Sequence, residues 1–114
     1  TQVEIDYEGS CALDTNFIHA ANMTEYEKVE IYNVSNGERF STYLIAAEAG
    51  SKTVSINGAA AHKASPEDII IICSYVSMHE DQMLNHKPTL VYFDQTNEIV
   101  DIKSSIPTQR IRSL

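Results

Sequence analysis

The pair Gly9-Ser10 places a hydroxyl beside a peptide carbonyl that no side chain shields. Glycine lacks a Cβ, so this link can be held in strained geometry and approached closely. The Ser10 hydroxyl can add to the Gly9 carbonyl carbon and move the acyl group from nitrogen to oxygen, leaving an ester where an amide stood. β-Elimination of that ester leaves dehydroalanine, which hydrolyses to a pyruvoyl group and ammonia. Taken alone, such a pair is more often an ordinary turn.

Two further segments carry side chains suited to a site. In Asn36-Gly37-Glu38-Arg39-Phe40-Ser41-Thr42-Tyr43, the even spacing of Arg39 and Tyr43 points both the same way on a strand. An arginine grips a carboxylate with two hydrogen bonds, and a tyrosine can deliver a proton. A plain hairpin with surface Arg and Tyr is the blander reading. Thr42 faces away from Tyr43 in an ideal strand, so both reaching one site needs a twist, a bulge or a subunit boundary. In Ile56-Asn57-Gly58-Ala59-Ala60-Ala61-His62, small side chains leave backbone N–H groups open to an anion. Asn57 adds an amide that can hold a carbonyl. An Ala-rich helix start packed on a strand explains the same residues equally well.

The elements that must position these residues read mainly as strands. Gln2–Tyr7 and Lys28–Val34 alternate polar and apolar, with Val29, Ile31 and Val34 the apolar residues of the second. Asn36-Gly37 predicts a tight type I′ hairpin turn. The returning strand, Glu38–Ala46, carries Phe40, Thr42 and Leu44 on one face. Asp14 can cap a short helix whose Phe17, Ile18 and Ala21 share a face. Further strands are expected over Lys52–Ile56, Asp68–Ser77 (long and buried), Thr89–Phe93 and Glu98–Lys103, with a helical turn over Glu80–Asn85. Short strands with few helices suggest a small closed β-barrel. The tail from Ser104 is polar and expected to be loose.

Length and charge bound the partners. A chain of 114 residues fits one domain, and its 43% apolar content supports a real core. A domain this small gains from oligomerisation. A net charge of −8 argues against nucleic acid. It also repels anionic substrates, so a site for one needs a local cation. Arg39, Arg110 and Arg112 are the only arginines, and Arg39 alone lies in a strongly patterned segment. The run Ile69–Cys73 is too short to span a bilayer. Neither Cys11 and Cys73 nor the four histidines show metal-binding spacing, so no metal is expected, and a reduced cytoplasmic setting is the plain reading. Cys11 reads as a small buried side chain rather than a nucleophile. The chain starts at Thr1, as a trimmed form of something longer would.

Taken together, Tyr7-Glu8-Gly9-Ser10, the Asn36–Tyr43 segment and Asn57–His62 resemble the aspartate 1-decarboxylase family in order and separation, with similarity running to about Phe93. The resemblance implies a mainly β fold, a double-psi β-barrel with short helices forming a single domain over 1–114. It implies a homotetramer with active sites between subunits, and it leaves open whether processing is spontaneous or assisted by a maturation factor. Autocatalytic cleavage would yield 1–9 and 10–114 and convert Ser10 to the covalent pyruvoyl group. That group would form a Schiff base with L-aspartate, and loss of CO2 would give β-alanine, a precursor of pantothenate and coenzyme A. By the same resemblance Tyr43 is the proton donor, Thr42 contacts substrate and aids cleavage, Arg39 holds a carboxylate, Asn57 orients the reacting carbonyl, and Gly58, Ala59 and Ala60 contact substrate. Family members carry a longer segment before the first strand, with a lysine and a His-Arg pair. Two rivals stand beside this reading: a non-catalytic β-barrel binding module, and a pyruvoyl decarboxylase for another amino acid.

Overall fold

A computed structural model of the chain describes residues 9–108. The expected strand Gln2–Tyr7 and the arginines Arg110 and Arg112 lie outside the described residues, as do the side chains of Ala59, Ala60 and His62. The described residues fall into two compact units divided between Ser77 and Met78.

In the first unit, β1 (Ser10–Asp14), β2 (Lys28–Asn33), β3 (Arg39–Ala47), β4 (Val54–Asn57) and β5 (Ile70–Cys73) form one sheet in the order β4-β1-β3-β2-β5. β1 runs parallel to β3, and the other neighbours are antiparallel. The sheet is a curled half-barrel, and the mainly β fold with short helices is that of a double-psi β-barrel. Cys11, Leu13, Val29, Ile31 and Leu44 form its buried centre with Phe17 and Ile18 of α1 (Thr15–Ala20). Burying a side chain the size of Ile31 or Leu44 contributes about 1.5–3 kcal/mol. β1 is the strand that alternation did not predict. Four of its five residues are buried, on both faces, so the period-two signal is erased.

Asp14 caps α1 as expected, accepting from the Asn16 N–H at 2.7 Å, while Ala21 is the C-cap of that helix rather than part of its buried face. The β2–β3 hairpin departs from expectation. A two-residue Asn36-Gly37 turn would set Val34 opposite Arg39, whereas the register sets Tyr32 opposite Arg39. Only Gly37 has a positive φ (80°), so the type I′ turn does not form. Asn33 decides the matter: its buried Oδ1 accepts from the Ser35 and Asn36 N–H groups, and its Nδ2 donates to the Lys63 carbonyl and Asp68. Val34 therefore leaves the strand and stands exposed. The expected strand Asp68–Ser77 shortens to β5, with Ile69 and Ile71 open to solvent.

The second unit holds α2 (Glu80–Met83) and the antiparallel pair β6 (Leu90–Phe93) and β7 (Ile99–Lys103). Asp94 closes that hairpin by accepting from the N–H groups of Thr96 and Glu98. Among the described residues no helix is long and apolar enough to cross a membrane.

Candidate active site

Gly9 and Ser10 enter β1 as buried residues, and Gly9 has a φ of 97°, a conformation that glycine adopts at little cost. Thr42 Oγ1 donates to the Gly9 carbonyl oxygen at 2.8 Å. A donor at that oxygen polarises the carbonyl and steadies the negative charge that develops when a nucleophile adds to its carbon. Asn57 Nδ2 donates to Ser10 Oγ at 3.2 Å, and Ser55 Oγ donates to Asn57 Oδ1 at 3.1 Å. The Ser55 contact fixes which end of the amide faces Ser10. The pairing of Ser10 with Asn57 across β1 and β4 brings these groups together.

Gly58, the first residue of a 3-10 helix over Gly58–Lys63, closes over the junction with a φ of 71°. A Cβ there would stand 2.7 Å from the Gly9 Cα, so only glycine fits. Beside the junction, burial pushes the Cys11 thiol up to about 11, which leaves it protonated and poorly nucleophilic.

β3 serves the junction from both faces. Residues paired across a sheet project to the same side, and Cys11 pairs with Leu44. One residue back on each strand, Ser10 and Tyr43 therefore share the opposite side, together with Asn57. Thr42 projects with Leu44 and reaches the Gly9 carbonyl rather than the Ser10 hydroxyl. No bulge is needed, because the junction presents its carbonyl to one residue and its hydroxyl to the other face.

Of the residues singled out in the sequence, Gly9, Ser10, Thr42, Asn57 and Gly58 thus meet at one place. Arg39 does not meet them. It shares the Tyr43 face but lies four residues along β3, roughly 13 Å away at strand spacing. Its neighbour is Tyr32, whose ring centroid is 4.7 Å from the guanidinium carbon. From sequence Tyr32 is expected to line the site or pack near it, packing being the plainer reading, and Tyr75 carries no signal. The correct four-residue loop between Asn33 and Glu38 would have revealed Tyr32 opposite Arg39.

The junction fits a pyruvoyl precursor: a buried Gly-Ser link, a donor on the carbonyl and an amide on the hydroxyl. Among the described residues no group of His, Cys, Asp and Glu side chains could hold a metal ion.

The sequence profile described as aspartate decarboxylase matches residues 1–100. The chain is 53% identical to the aspartate 1-decarboxylase of Tolumonas auensis over 109 residues, covering 96% of this chain and 86% of that protein. It is 51% identical to the aspartate 1-decarboxylase of Hydrogenovibrio crunogenus over 109 residues, 96% of this chain and 84% of the relative. With that of Alcanivorax borkumensis the identity is 50% over 109 residues, 96% and 86% of the two chains. The chain belongs to the aspartate decarboxylase family.

Proposed function

We propose that this chain cuts its own backbone between Gly9 and Ser10, keeps the resulting pyruvoyl group, and uses it to decarboxylate L-aspartate to β-alanine and CO2 for pantothenate and coenzyme A synthesis. The observation that carries the reading is the pair of hydrogen bonds on a buried Gly-Ser link, Thr42 to the Gly9 carbonyl and Asn57 to the Ser10 hydroxyl. Asn57 holds Ser10 Oγ while Thr42 holds the oxygen on which charge accumulates. The C–N bond breaks, the hydroxyl proton passes to the departing amide nitrogen, and elimination with hydrolysis then releases ammonia.

The pyruvoyl group supplies a ketone that can take an amine and accept the electron pair of a departing carboxylate. The remaining work falls to the chain. Tyr43, on the Ser10 face, is the proton donor, replacing the lost carboxyl on the substrate α-carbon. Asn57 orients the reacting carbonyl, while Thr42 and the Gly58-Ala59-Ala60 backbone bound the substrate. Arg39 offers its planar fork to a carboxylate against the field of a chain with net charge −8.

A homotetramer with sites between subunits belongs to the same proposal, since a second copy can supply an arginine that this copy holds away from Ser10. Val34, Ile69, Ile71 and Val76 are exposed apolar surface available to such assembly. Cleavage is proposed to be spontaneous or assisted by a maturation factor. Unpaired Cys11 and Cys73 fit the cytoplasm.

Intact-mass measurement tests the processing step. Mature protein should give a short fragment ending at Gly9 and a long one lighter by one ammonia than its serine-started form, and Ser10→Ala should stay whole and inactive. Incubation with L-aspartate should release β-alanine. An unbroken chain after full maturation would favour a binding module, and product from a different amino acid alone would reassign the substrate.

A further inference from the structure

The open face of the β2–β3 hairpin carries a chain of contacts that ends on Arg39. Tyr32 lies directly opposite it in register, with the guanidinium carbon 4.7 Å from the ring centroid. The Tyr32 hydroxyl meets the Tyr75 hydroxyl at 2.7 Å, a contact between residues 43 apart in sequence. Tyr75 follows β5, which pairs with β2 on the side away from β3. The three residues thus run across one face of the sheet. Among the described residues no carboxylate pairs with Arg39.

An aromatic face attracts a guanidinium and holds it flat while its N–H edge stays free to bind a carboxylate. That hold is only as firm as the ring. Tyr32 is half-buried, so packing alone does not fix it, whereas a hydrogen bond at the far end of the ring does. Tyr75 is 72% exposed and adds little to the core, yet its hydroxyl is committed to Tyr32.

We propose that Tyr75, acting through Tyr32, is a positioning residue that presets the Arg39 guanidinium for a substrate carboxylate and so sets the affinity for a dicarboxylic amino acid. The inference rests on the reading that Arg39 holds that carboxylate. The contact persists at neutral pH: the hydrogen bond with Tyr32, which favours the protonated hydroxyl, together with some burial and the neighbouring Tyr32 and Cys73, pushes the Tyr75 phenol up to about 12.

The test uses the full, self-processed protein with L-aspartate. Tyr75→Phe keeps the ring and removes the hydroxyl, and it should raise KM about three- to tenfold while kcat stays within about twofold. The cleaved fraction should not change. Tyr32→Phe should match it, and the double variant should do no more than either single, because one shared contact is lost. Tyr32→Leu, which also removes the ring, should raise KM further. Arg39→Gln separates the two layers of the argument. If that variant leaves KM unchanged, Arg39 is not the carboxylate holder and the underlying reading fails. If Arg39→Gln raises KM but Tyr75→Phe does not, Arg39 keeps its role and the positioning proposal is overturned. A Tyr75→Phe variant that lowers only thermal stability, kcat or the cleaved fraction overturns it as well.

Discussion

Strand β1 carries a buried polar side chain at each end, Ser10 at its first residue and Asp14 at its last, 5% and 1% exposed. Asp14 is saturated. Its carboxylate accepts from the N–H groups of Asn16, Gly50 and Lys52 at 2.7, 3.2 and 2.7 Å, tying the start of α1 to the β3–β4 turn. Ser10 has one described partner, the Asn57 amide at 3.2 Å, and among the described residues no acceptor takes its O–H. A buried charge must be matched donor for donor or it unfolds the chain, whereas a neutral hydroxyl tolerates incomplete matching. On the proposed function, one strand thus fixes itself at the saturated end and keeps its chemistry at the unsaturated one. If this division is real, changes at the Ser10 end should alter the rate of self-cleavage, and changes at the Asp14 end should alter stability.

The sharpest challenge at the reactive end is Thr42→Val, which removes the donor to the Gly9 carbonyl and nearly keeps the shape. Self-cleavage should slow by about 10²–10³-fold, the usual cost of losing one donor to a developing oxyanion. A time course of intact mass reads this directly, and wild-type kinetics would leave Thr42 as a packing residue. Gly58→Ala follows. Its added Cβ meets the Gly9 Cα at 2.7 Å on a backbone with φ of 71°, so the junction must shift. Cleavage should slow roughly tenfold, since small displacements of reacting atoms are costly, with about 1–3 kcal/mol of stability lost. Equal rates for Gly58→Ala and wild type would mean the junction moves freely.

The two ends differed in how much the sequence disclosed. Asp14 was readable as a helix cap because capping is local, but its bonds to Gly50 and Lys52 span 36 and 38 residues and leave no periodic trace. The reactive end was readable only through three motifs in register, since Gly-Ser alone is ordinary. Ser10, Thr42, Asn57 and Gly58 do converge, yet the strand joining them was missed because burial on both faces removes alternation. The pairing of Tyr32 with Arg39 was hidden by a plausible turn. Asn-Gly favours a two-residue loop, but the Asn33 side chain pairs with backbone and side-chain groups from Ser35, Asn36, Lys63 and Asp68, and outweighs that local preference. Two of those partners are brought near only by the rest of the fold.

At the saturated end, burial raises the Asp14 pKa, but the N–H groups of Lys52, Asn16 and Gly50 outweigh it and hold the carboxyl below its usual range. A carboxyl depressed in the folded state stabilises above its unfolded pKa of about 3.9, and that contribution is lost as pH falls through the lower folded value. Thermal unfolding of wild type should therefore steepen below about pH 4. Asp14→Asn should lower Tm by roughly 5 °C at neutral pH and flatten part of the acid slope. Part will remain, because Asp68 is also held low by the Asn33 side chain and the Ser65 N–H. Once folded, Asp14→Asn should cleave at the wild-type rate. A rate loss would erase the distinction between the two ends.

The smallest effect is expected one residue into the strand. Cys11 adjoins Ser10 and is fully buried, and a thiol is intrinsically a better nucleophile than a hydroxyl, so it is the natural competitor for the attack on Gly9. Two facts remove it. Burial pushes its pKa up to about 11, so almost none is thiolate at neutral pH, and its pairing with Leu44 and Ile56 turns the side chain into the apolar side of the sheet. Cys11→Ala should thus self-cleave at the wild-type rate and lose about 1 kcal/mol of stability from the small void left behind. Chemical denaturation and an intact-mass time course on the same sample measure both quantities. A cleavage rate reduced tenfold or more at unchanged fold would move the nucleophile from Ser10 to Cys11 and extend the reactive end of β1 by one residue.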